Sequence, residues 1–167
     1  SLSKNLLIRN NRIWHNTLCG VTITGENARD NVISQNSIFN NAGRAIEVVR
    51  GANEGVEAPV ITTAEVNHAR GTACAGCLVE VFSDPLREAQ IFEGSTTADA
   101  AGVWEFEKPD GFAFRILTAT ATDGENTSSL SEPKNIRSVV ATRTPTMGPV
   151  TETPPPGSVT PTSTLDV

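Results

Sequence analysis

Tyrosine is absent from the 167 residues, and the aromatic side chains come to two Trp and six Phe. So few rings argue against a large aromatic core or a broad sugar-stacking face. Cations are also scarce, with 13 Lys and Arg against 19 Asp and Glu and a net charge of −6. A nucleic-acid binder needs a basic surface to neutralise phosphates, so nucleic acid is not an expected partner. No apolar run approaches the roughly 18 residues of a membrane-crossing helix, and no membrane span is expected. Zinc needs four ligands, and among three Cys and two His no second Cys/His pair stands at a fitting spacing from Cys74 and Cys77. No Ser or Cys nucleophile lies near a His in a recognisable pattern. We therefore assign no catalytic, cofactor-binding or metal-ligating residue, and expect no cofactor.

What the chain does have is an internal repeat. Sliding it by 25 residues lays Leu7-Ile8 on Val32-Ile33, Asn11 on Asn36, Ile13 on Ile38 and Trp14 on Phe39. The same shift lays Asn16 on Asn41, Val21 on Ile46 and Ile23 on Val48. Apolar meets apolar and Asn meets Asn without a gap. Each unit reads as three short extended runs, Leu6–Ile8, Arg12–Trp14 and Gly20–Thr24, then Val32–Ser34, Ser37–Phe39 and Ala45–Val49. None is long enough for a helix, and Val21-Thr22-Ile23 alternates with period two. Asn and Gly hold the corners because both tolerate left-handed backbone angles. Three strands per repeat, one repeat per turn, predict a parallel β-solenoid with aliphatic side chains inside and Asn side chains stacked.

The motif N-x-I-x-x-N, followed by a Gly/Ala-Ile/Val-x-Ile/Val run, resembles the right-handed parallel β-helix repeat of pectate-lyase-like and NosD-like proteins. The resemblance covers about residues 5–49. It implies a secreted or cell-surface protein whose partner is an extracellular polysaccharide, without fixing a function. Because each coil touches only its neighbours, about three or more are needed for a continuous core. The expectation is a set of terminal coils belonging to a longer β-helix.

Residues 51–58 turn Gly-rich and acidic and read as a linker or cap after coils spanning 1–50. Strand signals then return without the period: Val60–Glu65, Cys77–Ser83, Ile91–Thr97, Val103–Glu107, Phe114–Thr122 and Ser128–Ser131. Short strands between turn residues predict an antiparallel β-sandwich over 59–133. Its Thr-Ala-Thr-Ala-Thr-Asp-Gly-Glu-Asn-Thr-Ser run resembles an Ig-like domain of bacterial surface proteins, which implies a spacer and no catalytic motif. Residues 59–132 hold four basic and twelve acidic side chains, 4 − 12 = −8, against six and five in 1–58. That asymmetry argues for separate modules with a solvated acidic surface. Residues 134–167 are rich in Pro and Thr and are expected to form a disordered stalk. The fold class is thus all-β: β-helix coils, an Ig-like sandwich and a tail.

Cys74-Ala-Gly-Cys77 is the sharpest local signal. As the four positions of a β-turn it holds its Cα atoms within about 7 Å, compatible with a disulfide. A redox motif would place the first Cys at a helix N-terminus, and here a strand follows; free thiols are the other reading. Cys19, His15 and His68 read as structural or corner residues. Asp30, Arg44, Glu47 and Arg50 are the charged residues of the coils that a lyase or hydrolase could use, but they form no acidic ladder. Asp123-Gly124-Glu125-Asn126 offers oxygen ligands too sparse for an EF-hand and reads as a hairpin turn. Asn126-Thr127-Ser128 fits a glycosylation acceptor. Trp104 reads as core, against a carbohydrate-binding module in 59–132. The expected function is a non-catalytic extracellular structural or adhesion segment. The alternative is the C-terminal part of a polysaccharide lyase or glycoside hydrolase with its active site upstream. Thiol titration of the unfolded, unreduced chain is expected to count one thiol, that of Cys19; three would remove the bridge.

Overall fold

The computed structural model describes residues 4–137. The Pro/Thr-rich segment from residue 138 onward lies outside the described residues. The first coil contains β1 (Leu7–Arg9), β2 (Arg12–Trp14) and β3 (Val21–Thr24). The second contains β4 (Val32–Ser34), β5 (Ser37–Phe39) and β6 (Ile46–Val49). Each strand pairs in parallel with its equivalent one repeat later, Ile8 on Ile33, Ile13 on Ile38 and Val21 on Ile46. The 25-residue shift is therefore the physical rise of one rung.

The corners explain why the shift never slips. Asn5, Asn10 and His15 in the first coil, and Asp30, Gln35 and Asn40 in the second, all hold φ between 53° and 60°. A left-handed residue after each three-residue strand turns the chain without the penalty being spread over a loop. At five of these six corners the next residue is an asparagine, the exception being Leu6 after Asn5. Asn11 Nδ2 donates to Asn36 Oδ1 at 3.2 Å, and Asn16 Nδ2 to Asn41 Oδ1 at 2.9 Å. The ladder fixes the register from outside while the isoleucines fix it from inside.

The second half is two packed antiparallel sheets. One has the order β11 (Val103–Glu107), β8 (His68–Thr72), β7 (Val60–Ala64). The other runs β10 (Ile91–Thr97), β9 (Leu78–Asp84), β12 (Ile116–Asp123), β13 (Asn126–Thr127), with β14 (Lys134–Asn135) also on β12. Strand β8 was not expected from sequence, because His-Ala-Arg-Gly-Thr has almost no β-branched or aromatic content. Conversely, Ser128–Ser131 is not a strand; its hydroxyls bond neighbouring backbone instead. Trp104 is buried between the sheets, and Gly71 opposite it is obligatory, since a Cβ there would meet the indole and the Val60 carbonyl.

The two halves are not separated by solvent. One hydrophobic cluster joins Ile33, Ile38 and Ile46 of the last coil to Phe82, Ala89 and Leu130 of the sandwich half. A second lies between the sheets around Val79, Val81, Trp104, Leu117 and Ala119. Strand β12 is consequently buried on both faces from Leu117 to Thr122. Among the described residues there is no α-helix, so none is long and apolar enough to cross a membrane.

Within the sandwich, a register shift between Phe92 and Gly94 makes Glu93 the extra residue of a β-bulge. Gly94 takes φ 145° and lies against the Phe106 ring. The bulge turns the Glu93 carboxylate inward, where it accepts from Ser83 Oγ, from the Ala113 amide and from Lys108 Nζ at 2.6 Å. Burial pushes the Glu93 carboxyl up, but Lys108, Ser83 and Ala113 together outweigh it and hold it below its ordinary 4.5. A carboxyl depressed on folding adds stability above its unfolded value, and that contribution disappears as pH falls through the folded value. Urea midpoints are therefore expected to drop on acidification below 4.5, with a shallower drop in Glu93→Gln; an identical pH profile in the two proteins would contradict this.

Candidate functional site

A β-solenoid ends in a row of unpaired backbone groups, and an uncovered row templates further strand pairing. In this protein the row below the second coil is met by side chains of the sandwich half on every face. Below β4, the Ile33 amide donates to Thr127 Oγ1 at 3.0 Å, and the Asp30 amide to Asn126 Oδ1 at 2.8 Å. Glu80, on β9, accepts from Ser34 Oγ at 2.7 Å and from the Gln35 amide at 2.9 Å. Below β5, Ile38 and Ala89 exchange both backbone bonds at 2.9 Å, an antiparallel bridge closing a parallel sheet. Glu88 accepts from the Asn41 amide and from Asn41 Nδ2. Below β6, the Val48 amide donates to Ser129 Oγ at 2.8 Å.

The segment between the halves completes the closure. Ala52–Gly55 forms a short 3₁₀ turn in which Asn53 is buried with φ 48°. Asn53 Nδ2 donates to the carbonyls of Asn31 and Thr127, and its Oδ1 accepts from Asn31 Nδ2 at 3.0 Å. It thus extends the asparagine ladder one step past the last coil. On the other side of the seam, Asp84 Oδ1 accepts from the Leu86 and Arg87 amides, shaping the turn after β9. Arg87 leaves that turn at φ 131°, a region unfavourable for any residue with a Cβ. The strained angle sends Glu88 and Ala89 onto the edge of β5.

This geometry revises the meaning of the charge asymmetry. Glu80, Asp84, Glu88 and Glu93 are all buried, so four of the twelve carboxylates in 59–132 are internal hydrogen-bond acceptors and not a solvated surface. Sequence reasoning passed over Glu80 and Glu88. The available signal was Glu80 at the centre of Leu-Val-Glu-Val-Phe, a charge where an unbroken apolar run would bury itself on both sides.

The residues singled out from sequence fall elsewhere. Cys74 and Cys77 sit in a β-turn closed by the Cys77 amide on the Cys74 carbonyl, with Cα atoms 5.4 Å apart and sulfurs in contact. Cys19 is half-buried, its thiol 3.6 Å from Glu47 Oε2. His15 is a left-handed corner, and His68 lies 4.0 Å from Glu107 on the neighbouring strand. Asp30, Arg44, Glu47 and Arg50 are on different corners and strands and converge on no common point in the bonds they make. Asn126 is buried and bonded to the Asp30 amide, so its side chain is not presented for glycosylation. Glu54, Glu57, Cys74 and Asp123 line an open depression of about 470 Å³. Among the described residues, no group of three or more His, Cys, Asp or Glu is placed to hold a metal ion. Trp14, not Trp104, is the accessible indole, with the Arg12 guanidinium 4.9 Å from the centres of both the Trp14 and Phe39 rings.

The architecture is that of right-handed parallel β-helix coils closed by an antiparallel β-sandwich. Residues 1–83 match a family model described as a right handed beta helix region. That match runs past the coils, through β7 and β8 and into β9. No curated protein matches the sequence. Among solved structures, a biofilm-associated protein BSP domain is similar at 21% identity and TM-score 0.43, covering 54% of this chain and 16% of that one. A human fibronectin type-III domain, from fibronectin type III domain containing protein 3, is similar at 14% identity and TM-score 0.29, covering 56% and 92%.

Arg87→Gly tests the strained turn. Relief of the angle is expected to raise the unfolding free energy by roughly 0.5–1 kcal/mol in urea titrations. A loss of stability would show that the Arg87 side chain, not its backbone angle, matters at the seam.

Proposed function

We propose that this chain is a non-catalytic structural terminus of a larger extracellular or cell-surface β-helix protein. In it, coils over 1–50 supply a rigid stack, 51–58 tucks under the last corner, and the sandwich over 59–133 seals the end. The observation that carries this reading is the closure of all three faces of the last coil by Thr127, Glu80, Ala89, Glu88 and Ser129. A solenoid that must not polymerise has to cover the edge of its last coil, and these groups cover it. The extracellular setting is supported by the Cys74 and Cys77 sulfurs lying in contact across a tight turn, since such bridges persist in oxidising compartments.

The test removes the two carboxylates that take the coil's amides. In Glu80→Ala/Glu88→Ala, the Gln35 and Asn41 amides are expected to lose hydrogen-exchange protection. The protein is also expected to self-associate with rising concentration in sedimentation velocity. A folded, monomeric double variant with unchanged exchange at Gln35 and Asn41 would overturn the proposal.

A further inference from the structure

Two oppositely charged depressions lie side by side where the linker enters the sandwich. The one lined by Glu54, Glu57 and Asp123 encloses about 470 Å³, and no cation lines it. Its neighbour, about 430 Å³, carries Arg44 and Lys134. A third, about 260 Å³, adds Arg87 beside Arg44. Glu132 stands on the rim of both basic depressions, and Glu88 in the third is already spent on Asn41. Three cations therefore oppose one exposed carboxylate on that side. Ala58 and Val60 line the acidic depression and the first basic one alike, so charges of opposite sign are sorted to the two sides of one apolar divide. Val60 on that divide is 58% exposed.

None of these charges is used inside the molecule. The carboxylates of Glu54, Glu57 and Asp123 and the cationic groups of Arg44, Arg87 and Lys134 make no hydrogen bond or ion pair among the described residues. Elsewhere the sandwich pairs its cations, Arg70 with Glu105 and Lys108 with Glu93. Arg87 holds φ 131°, an angle glycine would take without strain, yet its guanidinium returns no internal bond. The described chain also leaves this face open. Beyond Lys134 it runs to Arg137, whose amide donates to the Ala64 carbonyl at the other end of β7 from Val60.

The surface is complementary to itself. A two-fold rotation about an axis through Val60 lays the acidic depression of each copy over the basic one of the other, and it brings the two valines together at the centre. Both charge contacts then form at once and the assembly closes at two copies. A head-to-tail contact would leave one depression of each terminal copy unmatched. We propose that this face is a two-fold interface between two copies of the chain. The Glu54, Glu57 and Asp123 side of one copy meets the Arg44 and Lys134 side of the other, with Arg87 at the edge. Exposed ion pairs contribute little singly, so the contact depends on several acting together and is sensitive to salt. It goes beyond the structural-terminus reading and does not rest on it, because the edge of the second coil stays sealed in each copy.

Sedimentation equilibrium of the full chain tests this. At about 0.1 mM protein and about 0.05 M salt a dimer is expected, weakening at least tenfold at about 0.5 M salt. A monomer at low salt, or a dimer indifferent to salt, would overturn the proposal; this reading needs no variant. Arg44→Glu/Lys134→Glu and Glu54→Lys/Glu57→Lys are each expected to be monomeric at low salt with an unchanged thermal midpoint, since none of the four side chains is bonded. Their equimolar mixture is expected to restore the dimer, because both contacts again join opposite charges. Variants that dimerise alone, or a folded mixture that stays monomeric, would overturn it. Association of the cap variants proceeds through uncovered backbone amides and persists at about 0.5 M salt, so failure of either reading is distinguishable from failure of the other.

Discussion

The interaction on which this structure depends is the backbone hydrogen bond at the end of a parallel stack. A closed barrel has no edges and a helix has only short ends, but every coil of a solenoid carries a full turn of donors and acceptors toward each neighbour. The molecule answers this below its second coil with a Thr, a Ser, an Asn and two Glu side chains plus one antiparallel bridge at Ala89. Carboxylates serve two of the contacts because a charged acceptor makes stronger bonds with N–H donors than a neutral one.

The same closure accounts for features of the sandwich that would be odd in an isolated domain. The central strands of its larger sheet, β9 from Val79 onward and β12 from Leu117 to Thr122, have no solvated face. Val79, Val81 and Leu117 pack in the cluster between the sheets, while Glu80, Phe82 and Thr118 face the seam with the coil. Thr118 donates to the Glu88 carbonyl at 2.7 Å, so a threonine in a fully buried strand supports the very residue that caps Asn41. The strained Arg87 angle and the Asp84 turn before it belong to the same device. Strain is tolerated where the surrounding bonds over-determine the backbone, and here they do. The sandwich and the last coil are therefore one packed body in energetic terms, joined by a shared apolar cluster.

How much of this was legible beforehand differs sharply between the halves. The coil strands, their pairing and the asparagine contacts follow from the 25-residue shift, and the observed partners Ile13–Ile38 and Asn16–Asn41 are those the shift aligns. In the sandwich, strand β8 escaped notice because its residues have weak β preference, and it exists because β7 and β11 bracket it. The seam was invisible for a different reason. Glu80, Glu88, Thr127 and Ser129 have no common spacing and no motif; they are brought together by folding, at separations of 45 to 94 residues from their partners Gln35 and Ile33. Acidity in 59–132 looked like a surface property because composition counts charges without locating them.

By itself the sequence determined the all-β character, the rung height, the corner chemistry and the turn at Cys74–Cys77, because each of these is set by neighbours a few residues away or by a strict repeat. Only the tertiary structure decided that the two halves share a core, that four carboxylates lie inside, and that the sandwich half seals the edge of the second coil. Those outcomes depend on which backbone groups remain unpaired after the strands have formed. That quantity does not exist until distant segments are packed against each other.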